Sequence, residues 1–275
     1  MEPTIAGGLL VKRRRVSANR RRFGTQIRNA RQRRLPTPTS RDRLKATPRA
    51  ALVRVTGTMG VDVSHYQGTV NWGKVSKAGI TFAIAKATEG ETVVDSQFAT
   101  NWKGIKQAGL VRGAYHFFRP ESDALTQAKS FVTTVGKLDK GDLPPALDVE
   151  EADGAKAAAI LDGIGIWVAH VESAMKVKPL IYTRASFWKS SCNDSDRFAD
   201  HPLWICHYTG ATEPTLPSAW EHWTLWQYSD KGSVKGIAGP VDFNRSHDTL
   251  RQLVQRVIRS TASRRARRQR NRRET

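Results

Sequence analysis

From Gly60 onward the chain alternates short apolar runs with longer stretches whose apolar residues recur at helical spacing. The short runs fall at Gly60–Val63, Thr81–Lys86, Val111–Phe118, Ala146–Glu150, Leu180–Thr183, Leu203–Tyr208, Thr224–Tyr228 and Val241–Asn244, and each reads as a strand. Three helical patterns lie between the early ones. Ser96–Ala108 carries Phe98, Trp102 and Ile105 on one face, and Glu121–Val135 carries Leu125, Ala128, Phe131 and Val132. The longest, Ala155–Met175, sets Ile160, Ile164, Trp167, Val168, Val171 and Met175 in one stripe and stops before Pro179. Beyond the fifth strand Pro202, Pro214 and Pro217 break the intervals, and helical periodicity fades. Alternating strand and helix predicts an α/β fold with a parallel sheet. Eight strands in about 190 residues predict a single barrel whose late helices are missing or short.

Neither end of the chain carries this pattern, and charge explains what the ends are. The 275 residues have a net charge of +20, which taken whole suggests a nucleic-acid binder. Residues 1–58 hold 16 Lys and Arg against 2 acids, and residues 259–275 hold 8 against 1, whereas residues 59–258 come to −1. Both ends therefore read as disordered basic tails flanking one catalytic-sized domain at 59–258, which contains all eight tryptophans. The tails are either solvated extensions or tethers to an anionic polymer, whether wall polymer, lipid or nucleic acid. No apolar run reaches the length of about 20 residues needed to span a bilayer. Ile5–Val11 precedes the basic cluster Lys12–Arg15 instead of following it, so no standard secretion signal is expected. Cys192 and Cys206, 14 positions apart, leave open either two buried thiols or one disulfide, and a pair without a third cysteine favours the bridge in an exported protein.

A barrel presents its chemistry at the C-terminal ends of its strands. Those ends carry Asp62 and Tyr66, Tyr115 and His116, Asp148 and Glu150, Tyr182, His207, Trp226 and Gln227, and Asp242. Asp148 and Glu150 share a strand face because side chains alternate with period two. Two acids so placed keep one proton between them, and acids beside aromatic rings suit carbohydrate chemistry, with rings covering sugar faces and carboxyls moving protons. His65, His116 and His207 lack any His-x-His or His-Glu-x-x-His spacing, so no metal is expected. No phosphate loop and no Gly-x-Ser-x-Gly elbow occur, and no cofactor is expected.

Six segments in order resemble glycoside hydrolase family 25, the muramidases or N,O-diacetylmuramidase-type lysozymes. They are Gly60-Val61-Asp62-Val63-Ser64-His65-Tyr66-Gln67-Gly68, Ala85-Lys86-Ala87-Thr88-Glu89-Gly90, Gly113-Ala114-Tyr115-His116-Phe117, Asp148-Val149-Glu150, Trp226-Gln227-Tyr228 and Val241-Asp242-Phe243-Asn244. The resemblance covers roughly residues 59–257 and implies a TIM-like (β/α)5β3 barrel. It also implies hydrolysis, with retention, of the β-1,4 bond between N-acetylmuramic acid and N-acetylglucosamine in peptidoglycan. By the same resemblance Glu150 is the general acid, Asp148 steadies the substrate's 2-acetamido group or the developing charge, and Asp62 and Asp242 are two outer acids. Tyr66, Tyr115, Tyr182, Trp204 and Trp226 become sugar-subsite candidates. Chitinases share only the final Asp-x-Glu, since Leu143 and Ala146 stand where their other two acids belong and Pro145 lies between them. Cys206 departs from the small residue expected in its strand.

The expectation is thus a monomeric wall hydrolase whose partner is the peptidoglycan strand, acting outside the cell or after release by lysis. Two other classes compete: a non-catalytic glycan-binding barrel, and nucleic-acid binding through the tails.

Overall fold

The computed structural model of the chain describes residues 58–247. The expected basic tails lie outside the described residues, apart from Thr58. Nine strands, β1 (Met59–Val63), β2 (Phe82–Glu89), β3 (Val93–Val94), β4 (Val111–Phe117), β5 (Ala146–Asp148), β6 (Leu180–Thr183), β7 (Leu203–Cys206), β8 (Leu225–Gly232) and β9 (Val241–Ser246), alternate with five helices. These are α1 (Trp72–Lys77), α2 (Phe98–Gln107), α3 (Ala124–Val135), α4 (Ala157–Met175) and α5 (Ala185–Ser191). Neighbours run β1-β9-β8-β7-β6-β5-β4-β2, and pairing of β1 with β2 closes the ring. The two-residue β3 is a hairpin partner of β2 outside it. Ladders from β1–β2 round to β7–β8 are parallel, while β9 is antiparallel to both β8 and β1. Five βα units followed by three strands make a closed (β/α)5β3 barrel.

All eight expected strands are present, with shifted ends. β5 stops at Asp148, so Glu150 leaves the sheet by two residues, whereas β2 and β8 run to eight residues each. The expected helices match α2, α3 and α4, and α1 and α5 are additions. Six and seven residues are too short to establish a period; α1 is held by its Asn71 cap, which accepts from the Lys74 N–H, and α5 by buried Trp188. α4 is long and apolar enough by composition to cross a bilayer, yet Ile160, Ile164, Trp167 and Val171 are wholly buried on the barrel wall.

Period-two alternation sorts side chains into two layers. Phe82, Ile84, Leu143, Ala146, Leu180, Tyr182, Trp204, Cys206 and Leu225 fill the barrel interior. Their strand neighbours Ala83, Ala85, Leu147, Ile181, Leu203, Ile205 and Trp226 face outward into the surrounding layer of helices and loop. The seam depends on Gly60, because a Cβ there would meet the Phe82 ring at 2.3 Å. Among the described residues no helix follows β7, β8 or β9, and the 207–223 loop covers that wall. Its closure rests on indole donors: Trp220 Nε1 to the His201 carbonyl at 2.9 Å, Trp223 Nε1 to Glu213 at 2.7 Å and Trp226 Nε1 to the His207 carbonyl at 2.7 Å. The Arg245 guanidinium lies 3.8 Å above the Trp226 ring.

This sorting overturns the disulfide favoured from sequence. Both cysteines are free and buried. Cys192 ends α5 in the outer layer, whereas Cys206 points from β7 into the interior, so the sheet wall separates their sulfurs. Burial pushes the Cys192 thiol up to about 12 and the Cys206 thiol up to about 11.

Two outcomes follow. Reductant leaves the melting temperature unchanged, and thiol titration of protein unfolded without reductant counts two free thiols; one disulfide would count none. Gly60→Ala, which must push the Phe82 ring from its place, lowers stability by about 1–3 kcal/mol in urea unfolding; an unchanged midpoint would show that the seam tolerates a side chain.

Candidate active site

Four carboxyl groups meet at the C-terminal mouth of the barrel. Asp62 of β1 and Asp242 of β9 are direct cross-strand partners. Asp148 ends β5 beside Tyr182 of β6, and Glu150 follows where the chain turns out of the sheet. No lysine or arginine reaches Asp62 or Asp148 by a hydrogen bond among the described residues.

Asp62 is held by amides. Gln227 Nε2 donates to Asp62 Oδ2 at 2.9 Å, and Asn244 Nδ2 donates to the same oxygen at 2.6 Å. Gln227 is oriented in turn by the Tyr182 and Tyr208 hydroxyls, each donating to its Oε1 at 2.9 Å. Asn244 is oriented by the Trp204 indole, which donates to its Oδ1 at 2.8 Å. Burial, reinforced by Asp242, holds Asp62 well above the usual carboxylate range. Burial raises Asp242 too, while the hydrogen bond with Asp62 pulls it back.

Asp148 has no comparable support. It is 6% exposed, and its Oδ1 is buried without a hydrogen-bond partner. Burial first, then the neighbouring Glu150 and Asp62, push it well above the usual carboxylate range. Burial raises Glu150 as well, opposed by Arg184, whose Nε lies 3.8 Å from Glu150 Oε2 and whose Nη2 donates to the Glu150 carbonyl at 3.3 Å. At the rim Lys86 meets Glu89 at 2.5 Å, Glu89 meets Arg119 at 2.6 Å and Arg119 meets Asp153 at 3.0 Å.

The five ring candidates separate. Tyr66, 82% exposed, offers a free face. Tyr115 is partly buried, edge-on to Trp204 at 6.2 Å. Tyr182 and Trp204 are buried beneath the acids and donate to Gln227 and Asn244, the amides that hold Asp62. Trp226 belongs to the outer layer, because Leu225 and Gln227 on either side of it point inward. It therefore cannot stack on a sugar in this cleft.

The three histidines do not converge. His65 Nδ1 meets Asp95 at 2.7 Å, and His207 Nδ1 accepts from the Thr215 N–H at 3.0 Å. His116 is wholly buried. Gln127 Nε2 donates to the Arg119 carbonyl at 2.8 Å, so its Oε1 faces His116 Nε2, which must carry the hydrogen, at 2.9 Å. Nδ1 then accepts from the Thr88 hydroxyl at 2.7 Å. The neutral ring stacks on Trp167 at 5.7 Å, and burial lowers its pKa to about 4.

Sequence reasoning set Gln227 at a strand end of the rim but gave no role in the site to it, nor to Asn244, Tyr208 and Arg184. The signal for the first two was present: polar residues at inward strand positions of an apolar barrel need partners, and Asp62 is inward on the adjoining strand. Tyr208 and Arg184 lie past strand ends, where period two no longer tells direction.

The model of the glycosyl hydrolases family 25 matches residues 61–237. Lysozyme M1 of Streptomyces globisporus is 38% identical over 209 residues, covering 72% of this chain and 70% of its own length. The N,O-diacetylmuramidase of Chalaropsis sp is 32% identical over 209 residues, covering 71% of this chain and 98% of its own. Among solved structures, the bacterial lysozyme from Streptomyces coelicolor matches with a TM-score of 0.70 at 36% identity, covering 74% of this chain and 98% of that one.

His116 generates a stability prediction. With an ordinary pKa of 6.5 and about 4 when folded, the unfolded chain takes up a proton first. Its neutral ring thus contributes about 3 kcal/mol that is present above pH 6.5 and lost as pH falls toward 4. The stability gap between wild type and His116→Asn in urea unfolding should narrow by about that amount between pH 7 and pH 4; a gap independent of pH would contradict it.

Proposed function

The chain belongs to family 25 of the glycosyl hydrolases, a lysozyme-type hydrolase of peptidoglycan, and from that premise we propose a retaining, substrate-assisted cleavage. The bond is the β-1,4 link between N-acetylmuramic acid and N-acetylglucosamine; Glu150 is the general acid, and the 2-acetamido group of the substrate is the nucleophile. The observation that carries this reading is the buried Asp148 Oδ1, which has no partner beside a second raised carboxyl.

A buried acceptor without a donor is costly, and a substrate N–H would satisfy it. When the acetamido N–H reaches Asp148 Oδ1, hydrogen bonding to the charged form lowers the pKa of Asp148. The proton shared by the pair then resides on Glu150. Glu150 delivers it to the glycosidic oxygen as the C1–O bond breaks, and the acetamido oxygen closes onto C1 from the opposite side. The positive charge spreads over the new oxazolinium ring, whose N–H faces Asp148. Glu150, now a carboxylate, takes a proton from water as that water attacks C1 and reopens the ring. Two inversions give retention. Tyr66 and Tyr115 line the approach, and Asp242, after burial and Glu151, adds to what raises Glu150. All of these groups come from one chain, so a monomer suffices and no cofactor is called for.

The wall is the place of action, reached by export or by release at lysis. The basic tails suit attraction to anionic wall polymers at low ionic strength; nucleic-acid binding through them would be a separate property that leaves wall lysis unaffected when the tails are removed.

Glu150→Gln, folded by circular dichroism, should lose about 10²- to 10⁴-fold in lysis of purified walls. Wild-type activity should fall as pH rises through the raised pKa of Glu150, because the acid must be protonated. Digests should carry muramic acid at the reducing end, and walls stripped of N-acetyl groups should resist. Equal lysis by the variant would remove Glu150 from the reaction. Reducing-end glucosamine would change the bond cleaved, and ready cleavage of de-N-acetylated walls would remove the acetamido group.

A further inference from the structure

The amide lattice around Asp62 is unused by the reaction above, and its hydrogens can be placed by elimination. An indole N–H only donates, so the Asn244 atom facing Trp204 Nε1 is its oxygen. The Asn244 amide nitrogen must then face Asp62 Oδ2, at 2.6 Å. An amide nitrogen does not accept, so Oδ2 is an acceptor and bears no proton. Gln227 Nε2 is its second donor, with both tyrosine hydroxyls on Gln227 Oε1. Oδ2 is therefore saturated.

With Oδ2 taken by two amides, Oδ1 is the oxygen left for Asp242, the cross-strand partner with which Asp62 is hydrogen-bonded. Two carboxyl groups can hydrogen-bond only with a proton between them. The charged groups facing Asp62 are Asp242 from β9 and Asp148 from β5, both acidic; Lys86 of β2 is bound by Glu89. Asp62 is buried among these and the neutral amides, whereas Asp242 is partly open to the cleft. A charge costs less on Asp242.

We propose that Asp62 works as a neutral carboxylic acid whose Oδ1–H donates to Asp242, so that it is a positioning residue holding Asp242 as an oriented carboxylate beside the substrate. Gln227 and Asn244 are the clamp that fixes which oxygen bears the proton, and Tyr182, Tyr208 and Trp204 fix the clamp. The requirement on position 62 is then one acceptor oxygen toward two amides and one donor toward Asp242. Asparagine meets it without any charge: its Oδ1 replaces the acceptor and its Nδ2–H replaces the acid hydrogen. Alanine meets neither part.

The test compares full-length wild type with Asp62→Asn and Asp62→Ala. In wall lysis, which rests on the muramidase reading, Asp62→Asn should stay within about tenfold of wild type, while folded Asp62→Ala should fall about a hundredfold or more, the loss expected when a preorganised donor is removed. The infrared difference between wild type and Asp62→Asn at neutral pH is independent of any activity and of how Asp62→Ala folds. It should show loss of a protonated carboxyl C=O band. A lost carboxylate band instead, or Asp62→Asn as inactive as Asp62→Ala while folded, would overturn the neutral role. Wild type that fails to lyse walls would remove the muramidase reading and still leave the infrared result to decide the protonation of Asp62.

Discussion

Four acids gathered over an apolar barrel interior form the constraint on which the rest of this structure depends. Each of Asp62, Asp148, Glu150 and Asp242 is raised chiefly by burial. Bringing them together costs free energy that folding must recover elsewhere, and two devices do so. Asp62 is enclosed in neutral donors that are themselves pinned by Tyr182, Tyr208 and Trp204. Glu150 has the Arg184 guanidinium 3.8 Å away, near enough to temper its pKa and too far for the close hydrogen bond that would hold it ionised. Asp148 feels Lys86 and Arg184 only through space and has no hydrogen-bond partner on its buried Oδ1, and this asymmetry underlies the separate roles proposed for it and for its neighbour two residues on.

The barrel serves this arrangement by parity. Inward positions on β1, β8 and β9 bring Gln227 and Asn244 within hydrogen-bond reach of Asp62. Inward positions on β6 and β7 place Tyr182, Trp204 and Cys206 among the interior side chains that support them. The lower interior is plugged by Phe82, for which Gly60 leaves room. A one-residue slip in any of these strands would turn the lattice outward. Among the described residues no helix follows any of the three final strands, and the indole donors of Trp220, Trp223 and Trp226, with Arg245 stacked on the last, seal that wall.

Much of this was legible in the sequence. Eight strands and three long helices follow from periodicity, and the order of motifs from Asp62 to Asn244 points to the family that the comparisons establish. The failures have physical causes. Cys192 and Cys206 look paired in the chain because sequence separation says nothing of which side of a sheet a residue faces. Trp226 looks like a sugar platform for the same reason, although its neighbours Leu225 and Gln227 both point inward. α1 and α5 are too short to establish a period. Hydrogen-bond partners of Asp62 come from 165 and 182 positions away, a proximity that only barrel closure creates.

A proton kept on Glu150 by the buried cluster, and an Asp148 that ionises when an acetamido N–H arrives, are the core of the proposed reaction. Carbon-13 titration of the side-chain carboxyls, with and without a non-hydrolysable N-acetylated disaccharide, measures this directly. The account predicts that Glu150 titrates above the ordinary glutamate value of 4.5 in the free protein, and that Asp148 moves downward on binding while Glu150 stays protonated. Titration of Glu150 at or below its ordinary value, or an Asp148 that does not respond to the ligand, would contradict it.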